Sequence, residues 1–127
     1  MSRLLLVCAG GAIGSGARYL VGTWAHATWG AAFPWGTLAV NAVGSFAIAL
    51  VMVLGPEVGV LRPDATLFLT VGVLGGFTTY SSFNNETLSL AQRGEWGRAA
   101  AYVAVTVLAG WVAGVGGLLL GRLVAGE

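Results

Sequence analysis

Gly72-Val73-Leu74-Gly75-Gly76-Phe77-Thr78-Thr79-Tyr80-Ser81-Ser82-Phe83-Asn84-Asn85-Glu86 is the stretch that decides how this chain folds. It lies within a mostly apolar run, residues 65–91, that is 27 residues long. At about 1.5 Å per residue, a continuous helix of that length overruns a bilayer core of ~30 Å unless it tilts. Three glycines followed by Thr78 and Thr79 point instead to a helix broken near mid-membrane. Interrupted backbone at that depth persists only where protein buries it or a cavity lines it, and its freed carbonyls can bind a cation. Just beyond, Tyr80 and Phe83 lie three apart and set their rings on one face. An aromatic ring edge is electropositive. The pair reads either as a packing stripe or, beside hydroxyl and amide donors, as lining for a small anion.

The rest of the chain fits a membrane reading. Of 127 residues, 57% are hydrophobic and 9% are charged, with 21 glycines and a net charge of +1. Water-soluble domains carry about 25% charged residues. The length allows a single domain, residues 1–127. Four apolar spans are predicted, at residues 4–26, 35–54, 65–91 and 98–123, each near the ~20 residues needed to cross. Pro34, Pro56 and Pro63 fall in or beside the short connections. Trp24, Trp29, Trp35 and Trp96 collect at ends that share one membrane face, as an interfacial belt does. Arg3 ahead of Leu4-Leu5-Leu6-Val7 imitates a secretory leader, but the apolar sequence continues too far for one.

Several function classes are excluded by composition. All six basic residues are arginines, so the lysine of a phosphate-binding P-loop and a polybasic face for nucleic acid are both missing. His26 is the only histidine and Cys8 the only cysteine, which leaves little for a zinc site or a catalytic triad. No nucleophile, base and orienting group converge from so few candidates, so an enzyme is not expected. Glycines four apart (Gly10 and Gly14, Gly110 and Gly114, Gly117 and Gly121) read as close helix packing in lipid.

With both termini on one face, that face carries Arg3, Arg62 and Arg122. The other carries Arg93 and Arg98, with Arg18 inside the first span near that end. Arginine bias normally fixes orientation, and here it is nearly balanced. Such a chain can insert both ways and pair antiparallel with itself. A four-helix bundle fills its own centre, so an ion path is expected between subunits of a homodimer. Within the spans the costly polar groups are Arg18, Asn41, Glu86 and the run from Thr78 to Ser82. Arg18 and Glu86 either snorkel or face a partner. Thr37, Asn41 and Ser45 share a helix face, either as interhelical glue or as donors to a ligand, and Asn41 has the most hydrogen-bonding capacity to satisfy.

These residues resemble the Fluc (CrcB) family of fluoride channels. Three blocks carry the likeness: Gly10-Gly11-Ala12-Ile13-Gly14 with Arg18-Tyr19; Trp35-Gly36-Thr37-Leu38-Ala39-Val40-Asn41-Ala42-Val43-Gly44-Ser45-Phe46; and Gly75 through Phe83 with Glu86. The resemblance implies an all-α membrane protein of four helices, the third broken, assembled as an antiparallel homodimer in the cell membrane. It implies two fluoride pores along the subunit interface and passive fluoride export. It further implies a structural sodium ion on the dimer axis, held by the carbonyls of Gly75 and Thr78. By the same transfer Asn41 is the pore amide, Tyr80 and Phe83 the aromatic box, and Arg18 the vestibule arginine. Thr37, Ser81, Ser82 and Glu86 occupy neighbouring positions, and Tyr102 and Thr106 continue a polar track on the fourth span. The family usually has Phe where Tyr80 stands, which adds a hydroxyl here. The other readings are a small multidrug-type cation/proton antiporter, which needs an acid in the first span, and a membrane assembly subunit without transport.

Overall fold

Every described element of the computed structural model, which covers residues 1–126, is a helix or a turn. Helix α1 is Ser2–Trp29 and α2 is Trp35–Glu57, whose last turn, Val53–Glu57, is π-helical. The wide turn accommodates Pro56, which has no N–H to give Met52; the chain re-pairs through Val58 N–H to the Val53 carbonyl at 3.0 Å. Helix α3 covers residues 63–77, passing from Pro63–Leu67 through a π-helical Phe68–Leu74 to Gly75–Phe77. After two extended residues, α4 runs Tyr80–Gln92, and α5 runs Trp96–Ala125. Gly94, at φ +79°, makes the tight reversal between α4 and α5.

Helices α1, α2 and α5 are each long and apolar enough to cross a membrane alone. Helices α3 and α4 lie between α2 and α5 in the chain, separated by two extended residues. The chain is therefore a multi-pass membrane protein, with helix ends that differ from the sequence expectation by a few residues. An ion pair of 3.1 Å between Arg3 and Asp64 ties the start of α1 to the start of α3. At the opposite face Glu95 sits between Arg93 (3.1 Å) and Arg98 (2.5 Å).

Two helix pairs carry the packing, α1 on α3 and α2 on α5, and glycine permits both. At Gly10 an added Cβ would lie 2.8 Å from the Phe68 carbonyl, and at Gly14 it would overlap the Val73 carbonyl. Gly117 abuts the Phe46 carbonyl, and a Cβ on Gly121 would lie 2.8 Å from Val53. Gly110 and Gly114 are looser, at ordinary contact distance from Ser45. Buried apolar side chains are few, chiefly Val40, Val53, Leu74, Leu90 and Tyr102, while large ones such as Trp111 (76% exposed) point outward. In lipid that pattern is stable, because tails are as apolar as leucine and close packing drives association instead. Trp24, Trp29 and Trp35 form a ring-to-ring cluster, with centroids 4.9 and 6.3 Å apart, at the face that Trp96 shares.

The break in the third span is real but is not made by the glycines. Gly72 and Gly75–Phe77 remain helical, and the extended residues are Thr78 (φ −86°, ψ 158°) and Thr79 (φ −155°, ψ 112°). Gly72 and Gly76 serve contact with α1, their added Cβ atoms falling 3.0 Å from the Gly10 Cα and 2.5 Å from the Gly11 carbonyl oxygen. β-Branched threonine tolerates extended backbone better than helix, so the chain opens two residues later.

Gly14→Ala should destabilise the protein by about 1–3 kcal/mol, since its methyl meets rigid backbone. Gly16→Ala, where nothing lies within 4 Å, should leave the thermal midpoint in detergent unchanged or higher.

Candidate functional site

Asn41 on α2 meets the break edge-on. The Thr79 N–H donates to Asn41 Oδ1 at 2.8 Å, and Asn41 Nδ2 donates to the Thr79 carbonyl at 3.1 Å. This pairing fixes the orientation of the amide, because the flipped form would oppose two donors and two acceptors. The side chain thus pairs with both backbone polar groups of one residue and leaves one amide N–H over. Thr79 also caps α4: its Oγ1 accepts from the Ser82 N–H at 3.2 Å and donates to Ser82 Oγ at 3.0 Å. Ser81 Oγ lies 3.4 Å from the same hydroxyl. Ser81 and Ser82 therefore gather around Thr79.

Two carbonyls lose their helical donors through these bonds. The Gly75 oxygen would take the Thr79 N–H, which goes to Asn41; the Thr78 oxygen would take the Ser82 N–H, which goes to the Thr79 hydroxyl. The Gly76 oxygen accepts from Arg18 Nε at 3.0 Å. Among the described residues no cluster of three His, Cys, Asp or Glu side chains forms. A cation at the break would be held by neutral oxygens, the donor set a hard alkali ion accepts.

A groove of about 390 Å³ opens beside the break. Asn41, Thr78, Tyr80, Phe83 and Thr106 line it, with Gly75 at its wall. The Tyr80 and Phe83 rings stand 5.7 Å apart at 60°, and Tyr80 is 77% exposed. The Thr106 hydroxyl is buried without a partner. Ser45, also on the wall, donates to the Asn41 carbonyl at 2.7 Å. The groove thus presents hydroxyl and amide donors and ring edges, and no carboxylate.

Glu86 lines a second cleft, of about 260 Å³, near the tryptophan cluster, together with Thr37, His26 and Arg93. Thr37 Oγ1 and the Tyr102 hydroxyl each donate to its carboxylate, both at 2.7 Å. Tyr102 is fully buried, with its ring 5.1 Å from Phe83 and 5.3 Å from Phe33. It stands between the two cavities and opens onto neither. Of the residues singled out in the sequence, Asn41, Tyr80, Phe83, Thr106, Gly75 and Thr78 meet at the groove. Thr37 and Glu86 sit in the cleft, and Tyr102 joins the two groups. Arg18 lines neither cavity and reaches the break from α1.

The model of the CrcB-like protein family, Camphor Resistance (CrcB), matches residues 5–118. The chain belongs to the CrcB-like family. It is 53% identical to the fluoride-specific ion channel FluC of Anaeromyxobacter sp. (strain K) over 126 residues, 99% of this chain and 100% of that one. It is 49% identical to a FluC of Thermus thermophilus over 126 residues, 99% of this chain and 98% of that one. The FluC of Sorangium cellulosum is 44% identical over 127 residues, 99% of this chain and 100% of that one. In this CrcB-like chain Asn41 of α2 reaches the break from the facing helix.

Sequence reasoning missed Thr79 as the hub of the CrcB-like break and missed the Thr37–Glu86–Tyr102 triad. A hydroxyl that caps a helix and a peptide that pairs with a distant amide leave no spacing signal along the chain. Asn41→Asp keeps an acceptor for the Thr79 N–H and loses the donor to its carbonyl. It should cost about 1–3 kcal/mol, read as a lower thermal midpoint. Asn41→Leu, which orphans both groups, should cost more.

Proposed function

We propose that the protein is a fluoride-selective channel of the cell membrane, passively releasing fluoride and so lowering its toxicity inside. It works as an antiparallel homodimer with two pores at the subunit interface. The observation that carries this reading is the groove beside the break, where Asn41, Thr106, Tyr80 and Phe83 meet among apolar neighbours such as Leu74 and Ile48 and no charged side chain lines the wall. A second copy laid across it would complete a path. The relatives at 44–53% identity bear the name fluoride-specific ion channel.

Fluoride is small and strongly hydrated, so a pore must replace its shell with close donors. The spare Asn41 N–H, the Thr106 hydroxyl and the rings of Phe83 and Tyr80 supply such donors, while Thr37 and Glu86, paired with each other, mark the cleft at the end of the path. Chloride is larger and is rejected by a narrow path. The carbonyls of Gly75 and Thr78, one pair from each copy, would hold a sodium ion at the dimer axis. Such an ion would supply positive charge that offsets the cost of a nearby anion in low dielectric. The nearly balanced arginines on the two faces favour insertion of either copy in either sense.

An antiporter for cations needs an embedded carboxylate free to trade protons. Glu86, on α4, accepts hydrogen bonds on both oxygens.

Liposomes containing the purified protein alone should release fluoride promptly and retain chloride, as read with ion-selective electrodes; folded protein that releases neither ends the proposal. Phe83→Ile removes an edge interaction of about 1 kcal/mol, so efflux should slow about fivefold. Dimerisation should persist, as checked by crosslinking.

A further inference from the structure

We infer that Arg18 is a positioning residue that keeps the helix break open by occupying the Gly76 carbonyl. The inference rests on reading the break as a sodium site and adds the residue that decides which of its oxygens are available.

Across the break the oxygens have distinct fates, and that of Phe77 takes no N–H from Ser81. Leu74 accepts twice from Thr78, through N–H at 3.0 Å and Oγ1 at 2.9 Å. Thr79 accepts from Asn41. Gly75 and Thr78 have had their helical donors diverted. Gly76, between those two, takes its hydrogen bond from Arg18 Nε and not from the Tyr80 N–H four residues on. With the Thr79 and Ser82 N–H groups held by Asn41 and by the Thr79 hydroxyl, the Tyr80 N–H is the donor whose return to Gly76 would begin to rejoin α3 to α4 across the threonines. Asn41 holds the break from α2, and Arg18 holds it from α1.

The glycine contact between α1 and α3 sets this up. Gly14 lies under Val73 and Phe77, and Gly76 presses on Gly11 and Ser15. Arg18, one turn beyond Gly14, is thereby delivered to the break. A long arginine at this depth ordinarily snorkels toward water. Here it turns inward and forms no ion pair with any acid among the described residues. An unpaired guanidinium inside a membrane span marks a functional position. Its partner is a peptide oxygen that a re-formed helix would otherwise claim.

The test is the sodium dependence of thermal stability of the purified full-length protein in detergent, with choline replacing sodium. Arg18→Gln removes the reach and the charge, and should need about tenfold more sodium for half the stabilisation. Arg18→Lys, which still donates, should stay within about threefold of the parent. In the Arg18→Gln background, Tyr80→Pro deletes the N–H that re-closes the helix. Proline suits the first helical position and favours an extended residue before it, as Thr79 already is. The double variant should therefore regain the parent's sodium midpoint, a rescue that a purely structural arginine cannot produce. If Arg18→Gln alone fails to fold, a double variant that folds with the parent's sodium midpoint supports the inference. An unmoved midpoint in Arg18→Gln, or a double variant that stays shifted or unfolded, overturns it while leaving the sodium site standing. A parent protein indifferent to sodium removes the sodium site and this inference together, and fluoride efflux from liposomes then judges the channel separately.

Discussion

The pairing of one asparagine side chain with the backbone N–H and carbonyl of one residue is the interaction on which the site depends. Backbone cannot leave its helix inside a bilayer unless other groups satisfy it. Asn41 does so for Thr79 with both ends of its amide, at 2.8 and 3.1 Å. Because Thr79 is held extended, its hydroxyl is free to cap α4, and the capped helix then points Tyr80 and Phe83 along the groove. The open carbonyls of Gly75 and Thr78 follow from the same two diversions. Donors for an anion and acceptors for a cation thus arise within a few residues of each other from a single local rearrangement.

The glycines act one level down. They bring α1 against α3 and α2 against α5 closely enough that Arg18 and Asn41 can reach backbone on another helix. In water a core of large side chains would supply that proximity. In lipid it comes from small residues and direct backbone contact. The sparse interior, with Tyr102 as its largest fully buried side chain, has the same origin.

Much of this was legible in the sequence, and what was not has a physical reason. Apolar length revealed the crossings, and the excess length of residues 65–91 revealed that one of them is interrupted. Composition could not say where, because glycine marks both flexibility and close approach, and here Gly72 and Gly76 mark approach. Asn41 stood out as costly in a membrane, Tyr80 and Phe83 as a paired ring face, and Thr106 only through the family resemblance, and the fold brings the four together at the groove. The use of Tyr102 was not readable. Its hydroxyl suggested part of a polar track, yet it is committed to Glu86, 16 residues away on a neighbouring helix. Spacing along one helix records which groups share a face; it does not record which group on another helix reaches them first.

The tryptophans carry one more consequence. Trp24, Trp29 and Trp35 touch one another at a single end of the molecule, and Trp96 begins α5 at that end. A lone copy, or two copies standing side by side in the same sense, would be girdled at one leaflet and bare at the other. Turned head to tail, a pair wears a collar on each leaflet, and the headgroup anchoring that either copy lacks is furnished by its neighbour.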